Sequence, residues 1–159
     1  MRILGIDPGT GILGFGIIDV LANGKTSLVD GGVIRTPVKQ ADSDRLETIY
    51  DELHELIVEH QPEVMAVEKL FFSQNVTTAM SVSQARGVVL LCGKQHKLEL
   101  FEYTPQQIKQ ALTGYGRADK KQIQEMVRIV LALPEIPQPD DAADALAAAI
   151  CHSMNQRLS

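Results

Sequence analysis

A chain of 159 residues with 45% hydrophobic and 22% charged residues suits one soluble domain built on a single core. No run approaches the roughly 18 to 20 apolar residues of a membrane span, and the N-terminus lacks a signal-peptide pattern, so the expectation is a cytoplasmic protein with no membrane partner. The net charge of -5 opposes polyanion binding, but it is unevenly spread. Residues 1–68 carry -7, residues 69–128 carry +5 and residues 129–159 carry -3. A basic middle segment in an acidic chain is compatible with a nucleic-acid partner, because binding follows the local face rather than the total. Cys92 and Cys151 sit in apolar helical patterns without CxxC spacing, which points to buried thiols rather than a bridge or a metal site.

The chain opens with a short apolar strand, Arg2 to Ile6, that runs at once into Asp7 and then Pro8, Gly9 and Gly11. An acid at the end of a buried strand, with glycines leaving room beside it, is either turn chemistry or a ligand position. Gly14 to Val20 and Leu28 to Thr36 read as two further strands joined at Asn23-Gly24, giving an antiparallel meander with a kink or bulge expected at Gly31-Gly32. Asp19 and Asp30 read as solvent-facing strand acids. Asp44 with Glu47 fits a capping box for a helix that ends before Pro62. Val64 to Val67 then repeats the opening pattern, an apolar strand ending in an acid, Glu68. A strand, helix, strand succession favours parallel pairing, which would bring Asp7 and Glu68 together.

Beyond Glu68, Phe71 and Phe72 fall in a polar loop, so either aromatic is a candidate for stacking on or wedging between bases. Residues 77–94 form a helix that is apolar on several sides, and the face left over after packing on the sheet is suited to a second copy of the chain. Glu99 to Tyr103 is a fifth strand. Thr104 and Pro105 start one helix and Asp119 with Gln122 starts the next. Lys109, Arg117, Lys120 and Lys121 gather around the glycine-bearing loop between them. The last helix opens DDAADALAAAICH, placing Asp141 and Asp144 on one face at i and i+3, with alanines that permit close approach to the sheet. Asp140 is accounted for as a helix N-terminal acid, although Asp140 and Asp144 also share a face at i and i+4.

Three or four carboxylates from separate elements, with no histidine or thiolate cluster, form an oxygen donor set for hard divalent ions such as Mg2+ or Mn2+. Beside a basic face, the chemistry this implies is two-metal phosphodiester hydrolysis. The stretches GIDPGTG, VEKLFFSQN, SQARG, FEYTPQQIKQALTGYGRADKKQIQ and PDDAADALAAAICH resemble, in that order, the motifs of the RuvC family of bacterial Holliday-junction resolvases. The resemblance covers essentially the whole chain. It implies an α/β, ribonuclease H-like fold with a five-stranded mixed sheet flanked by helices, and a homodimer that nicks two strands of a four-way DNA junction. It further implies Asp7, Glu68, Asp141 and Asp144 as catalytic acids holding two Mg2+ ions, with Mn2+ as the alternative metal. Phe71 would reach into the junction, with Phe72 able to share that role. Lys109, Lys120 and Arg86 of the QARG motif would face DNA, and RuvA and RuvB would be partners. Two readings stand beside it. One is a junction-binding module without catalysis, whose mark would be a missing acid. The other is a DxGT nucleotide-binding domain, for which the chain is short.

Overall fold

The computed structural model describes residues 1–70 and 76–156. In chain order the elements are β1 (Arg2–Asp7), β2 (Ile12–Val20), β3 (Thr26–Arg35), α1 (Asp42–His60), β4 (Val64–Glu68), α2 (Val76–Gln95), β5 (Glu99–Tyr103), α3 (Pro105–Thr113), α4 (Lys120–Val130) and α5 (Asp140–Gln156). The strands make one mixed sheet in the order β3-β2-β1-β4-β5. The β1–β2 and β2–β3 pairs are antiparallel, whereas β1–β4 and β4–β5 are parallel. The parallel pairs need crossovers, and α1 and α2 supply them.

Side-chain alternation sorts the sheet into two faces. Leu4, Ile6, Met65 and Val67 point towards α1 and α2, where they meet Ile49, Leu53, Ala85 and Val89. Ile3, Val64 and Ala66 point the other way, into a second core with Ile108, Ile123, Leu146 and Ile150 from α3, α4 and α5. Burying each of these large side chains contributes roughly 1.5–3 kcal/mol. The same parity assigns Asp7 and Glu68 to the α5 face, because each lies an even number of residues beyond Ile3 or Val64.

The helix α5 lies directly on that face. A Cβ on Gly5 would stand 2.0 Å from the Ala145 carbonyl oxygen, and one on Gly14 would stand 2.0 Å from the Asp141 carbonyl oxygen. Only glycine on the strands, facing Ala142, Ala143, Ala145 and Ala147 to Ala149 on a helix buried along most of its length, allows so close a contact.

Three local expectations are corrected. Asp44 and Glu47 form no capping box: α1 begins earlier, at Asp42, with Ala41 in the N-cap position and no side-chain cap bond. The helix N-terminus is instead favoured by Asp42 and Asp44 in its first turn. The register shift between β2 and β3 falls at Ile17/Ile18, with Val29 as the extra residue, and Gly31 and Gly32 stay in regular pairing. Asp19 and Asp30 are engaged rather than free. Arg2 lies opposite Asp19 in the β1–β2 ladder and donates from Nε and Nη2 to its two carboxylate oxygens, both at 2.8 Å, while Asp30 meets His60 Nε2 at 3.1 Å. The Arg2 guanidinium holds the Asp19 carboxyl below the usual carboxylate range.

Candidate active site

The parallel β1–β4 register pairs Ile6 with Val67, so the next residues, Asp7 and Glu68, emerge side by side at the C-terminal edge of the sheet. From above the sheet, α5 brings down Asp141 and Asp144, one turn apart. Asp7, Asp141 and Asp144 each offer a carboxylate oxygen within 4.8 Å of the others. Glu68 joins them through a hydrogen bond with the Asp7 carboxyl. Four acids from three elements thus converge on one point, each carried by regular structure rather than by a loop.

Their charges are poorly tolerated there. Burial, then the neighbouring Glu68, Asp144 and Asp141 charges, push the Asp7 carboxyl up to about 9. Burial and these like charges favour the protonated form of the Asp7 carboxyl, which lies against that of Glu68. Glu68 and Asp144 are also raised, chiefly by burial. For Glu68 the bond from Asp7 and the charges of Lys109 and Lys120 pull the other way. For Asp144 the opposing charge is Lys120. A half-buried cluster of oxygen donors with an excess of negative charge fits a hard divalent cation, which would relieve the repulsion that now retains a proton.

Glu68 and Asp144 also line a cleft of about 250 Å³, together with Lys109, Lys120, Pro105, Ile108 and Ile123 of α3 and α4. Both basic helices are fixed at their starts by capping boxes, Thr104 with Gln107 for α3 and Asp119 with Gln122 for α4. Pro105 occupies the first turn of α3, as the sequence predicts, and Gly114 closes its end with a φ of 73°. Lys120, in the first turn of α4, reaches back across the cleft. Its Nζ lies 3.2 Å from Asp140 and 3.7 Å from Asp144.

The neighbouring acids are thereby distinguished. Asp140 turns outward to Lys120 and accepts from Gln124 Nε2 at 3.1 Å, while Asp141 turns inward to Asp7 and Asp144. Arg86 lies on α2 and is held by Glu102 of β5, with Nε donating at 3.1 Å and Nη2 to the same oxygen; it does not line the cleft with the two lysines. Phe71 and Phe72 lie outside the described residues. Three contributors that the sequence reading passes over are Gly5 and Gly14, which set the height of α5 above the sheet, and Gln124, which steadies Asp140.

The chain is similar in sequence and fold to known proteins. The sequence-family model described as "Crossover junction endodeoxyribonuclease RuvC" matches residues 3–152. A crossover junction endodeoxyribonuclease RuvC of Alkaliphilus metalliredigens is 55% identical over 153 residues, covering 96% of this chain and 93% of the relative. A Thermus thermophilus RuvC structure superposes with a TM-score of 0.93 at 37% identity, over 99% of this chain and 96% of that one. The T. thermophilus RuvC in complex with Holliday junction substrate gives 0.91 at 34% identity, over 100% and 97%. The chain therefore belongs to the RuvC family of crossover junction endodeoxyribonucleases.

Proposed function

We propose that the protein resolves four-way DNA junctions by nicking two strands symmetrically, with Asp7, Glu68, Asp141 and Asp144 as its catalytic acids and as the ligands of two divalent ions, Mg2+ or Mn2+. The observation that carries this reading is the convergence of Asp7, Asp141 and Asp144 beside a cleft that Glu68 and Asp144 share with Lys109 and Lys120. Divalent ions held by these carboxylates would supply Lewis acidity for hydrolysis at neutral pH and charge for the leaving oxygen. The chain's own part is positional. Two strand ends and one helix would hold the donors, and the bound charge would favour the ionised form of Asp7. Lys109 and Lys120 lie where a phosphodiester entering the cleft would need positive charge.

The junction as substrate follows from family membership and from the relative described with a Holliday junction bound. A junction-binding module without catalysis is disfavoured, since none of the four acids is missing. By resemblance alone, Phe71, with Phe72 beside it, would enter the junction, Arg86 would lie near the DNA, and RuvA and RuvB would be partners in the cytoplasm. The test is to incubate the protein and Mg2+ with a synthetic four-way junction and, separately, with a linear duplex of the same sequence. Paired nicks in the junction alone support the reading; equal cutting of both substrates, or of neither, contradicts it.

Two symmetric nicks call for two active sites, and α2 offers the surface for a C2 pair. Ala85, Val89 and Cys92 of that helix face the core. Val76, Met80 and Leu91 remain 68%, 61% and 54% exposed. Gly87 lies on the same exposed stripe, with nothing within 4 Å of where its Cβ would be. A bare glycine between exposed apolar residues suits the close approach of a second helix. Sedimentation at micromolar concentration is expected to give twice the 17.4 kDa chain mass, and Leu91→Glu to shift it towards the single-chain value. A wild-type monomer that still makes paired nicks would sink this interface.

A further inference from the structure

The chain has four histidines, and two of them have protein partners that explain their place. His152 is buried, packed at a tilt against the Phe101 ring and hydrogen-bonded to Tyr103. His60 meets Asp30. The other two face each other at the surface: His54 Nδ1, from the middle of α1, lies 2.8 Å from His96 Nε2, just past the end of α2. Their ring centroids are 4.8 Å apart at an interplanar angle of 45°. Tyr50 stacks on His54 from one turn earlier, and its hydroxyl bonds Gln95, the residue before His96. The pair is thus buttressed on both helices.

We infer that His54 and His96 form a second cation site, specific for a borderline transition-metal ion such as Zn2+ and separate from the acids at the sheet edge. An N···N contact this short requires one nitrogen to donate to the lone pair of the other, so the bridging proton stands where a metal would. Zinc–nitrogen bonds of about 2.0–2.1 Å put two cis imidazole nitrogens about 2.9 Å apart at a right angle and about 3.4 Å apart at the tetrahedral angle. The observed 2.8 Å needs only a small opening, which two surface rings on separate elements can make. The bridging proton then moves to the remote nitrogen of its own ring by tautomer exchange, leaving both facing nitrogens as ligands and the net charge of the pair unchanged. Waters complete the coordination. Two imidazoles suit Zn2+ and its neighbours in the first transition row and do not suit Mg2+, so the site would not compete for the ion the acids hold. Asp51 and Glu55 flank His54, and Lys94 and Lys97 flank His96, so the flanking charges largely offset and the imidazoles set the selectivity. An ion there would pin the C-terminal end of α2 to α1.

The experiment is a calorimetric titration of ZnCl2 into the untagged Asp7→Asn protein, whose acid cluster is weakened, in excess Mg2+. The same titration is made with His54→Gln or His96→Gln added. Glutamine keeps hydrogen bonding and bulk but is a poor zinc ligand. One Zn2+ per chain is expected in the parent, weakened by either glutamine by at least the roughly 10- to 100-fold that losing even an outer-shell partner costs. Zn2+ is also expected to raise the melting temperature of the parent and not of the glutamine variants. Absence of Zn2+ uptake by the parent, or uptake that both glutamine variants retain unchanged, overturns the site.

Discussion

Asp7→Asn and Glu68→Gln are each expected to reduce junction cleavage by about a thousandfold or more while leaving junction binding at or above the wild-type level. Each substitution keeps the size of the side chain and removes a negative charge that a divalent ion needs. Stabilisation from such an ion is worth several kcal/mol at the transition state, and every 1.36 kcal/mol is a factor of ten in rate. Binding is spared because Lys109 and Lys120 of the cleft are left intact. Asp7→Asn also has a signature in the absence of metal. The folded protein holds the Asp7 carboxyl up to about 9, against an ordinary value of 3.8. The contribution of this carboxyl to stability is therefore fully present below the ordinary value and is lost as pH rises from there through about 9. Thermal melts in chelator across that window should show this decline in the wild type and a smaller one in Asp7→Asn. A decline of equal size in both proteins would remove Asp7 as its source.

Gly14→Ala and Gly5→Ala are expected to damage both stability and activity. The added methyl would stand 2.0 Å from the carbonyl oxygen of Asp141 in the first case and of Ala145 in the second, with the Ala149 Cβ a further 3.0 Å neighbour for Gly5. Both obstacles are helix backbone, which cannot change rotamer, so α5 must lift from the sheet. Overpacking of this kind costs roughly 1–3 kcal/mol, occasionally more. The lift also carries Asp141 and Asp144 away from Asp7, and a displacement of about 1 Å at a reacting centre can cost about a hundredfold in rate. Denaturant melts and junction cleavage should fall together. A Gly14→Ala protein with wild-type stability and rate would show that the helix is not held at this height by the glycine.

The acids were legible in the sequence because each breaks a local rule. Asp7 and Glu68 are charges at the ends of strands that are otherwise apolar, and the strand, helix, strand order then pairs those strands in parallel. The register of Ile6 with Val67 is what makes the two carboxylates neighbours. The same reasoning supplied the mixed sheet, the meander and the caps of α3 and α4. What it missed depends on partners distant in sequence. Whether Asp44 or Asp42 leads α1 is decided by the turn at Ala41, and the β2–β3 bulge at Val29 has no glycine to mark it. Asp19 and Asp30 were misjudged because Arg2 and His60 reach them from other elements. Gly5 and Gly14 were visible as glycines within strands, a pattern that signals close backbone approach, yet only the packed helix shows what approaches.

Adjacent aspartates offer the most direct test of the whole account. Asp141 faces Asp7 and Asp144, whereas Asp140, one residue away, faces Lys120 and Gln124. Asp140→Asn and Asp141→Asn should therefore be assayed side by side on one four-way junction with Mg2+, for binding and for paired nicking. Asp141→Asn is expected to bind the junction and leave it uncut, and Asp140→Asn to bind it and cut both strands. An active Asp141→Asn beside an inactive Asp140→Asn would contradict the account, because the acids that meet at the sheet edge would then not be the ones that do the chemistry.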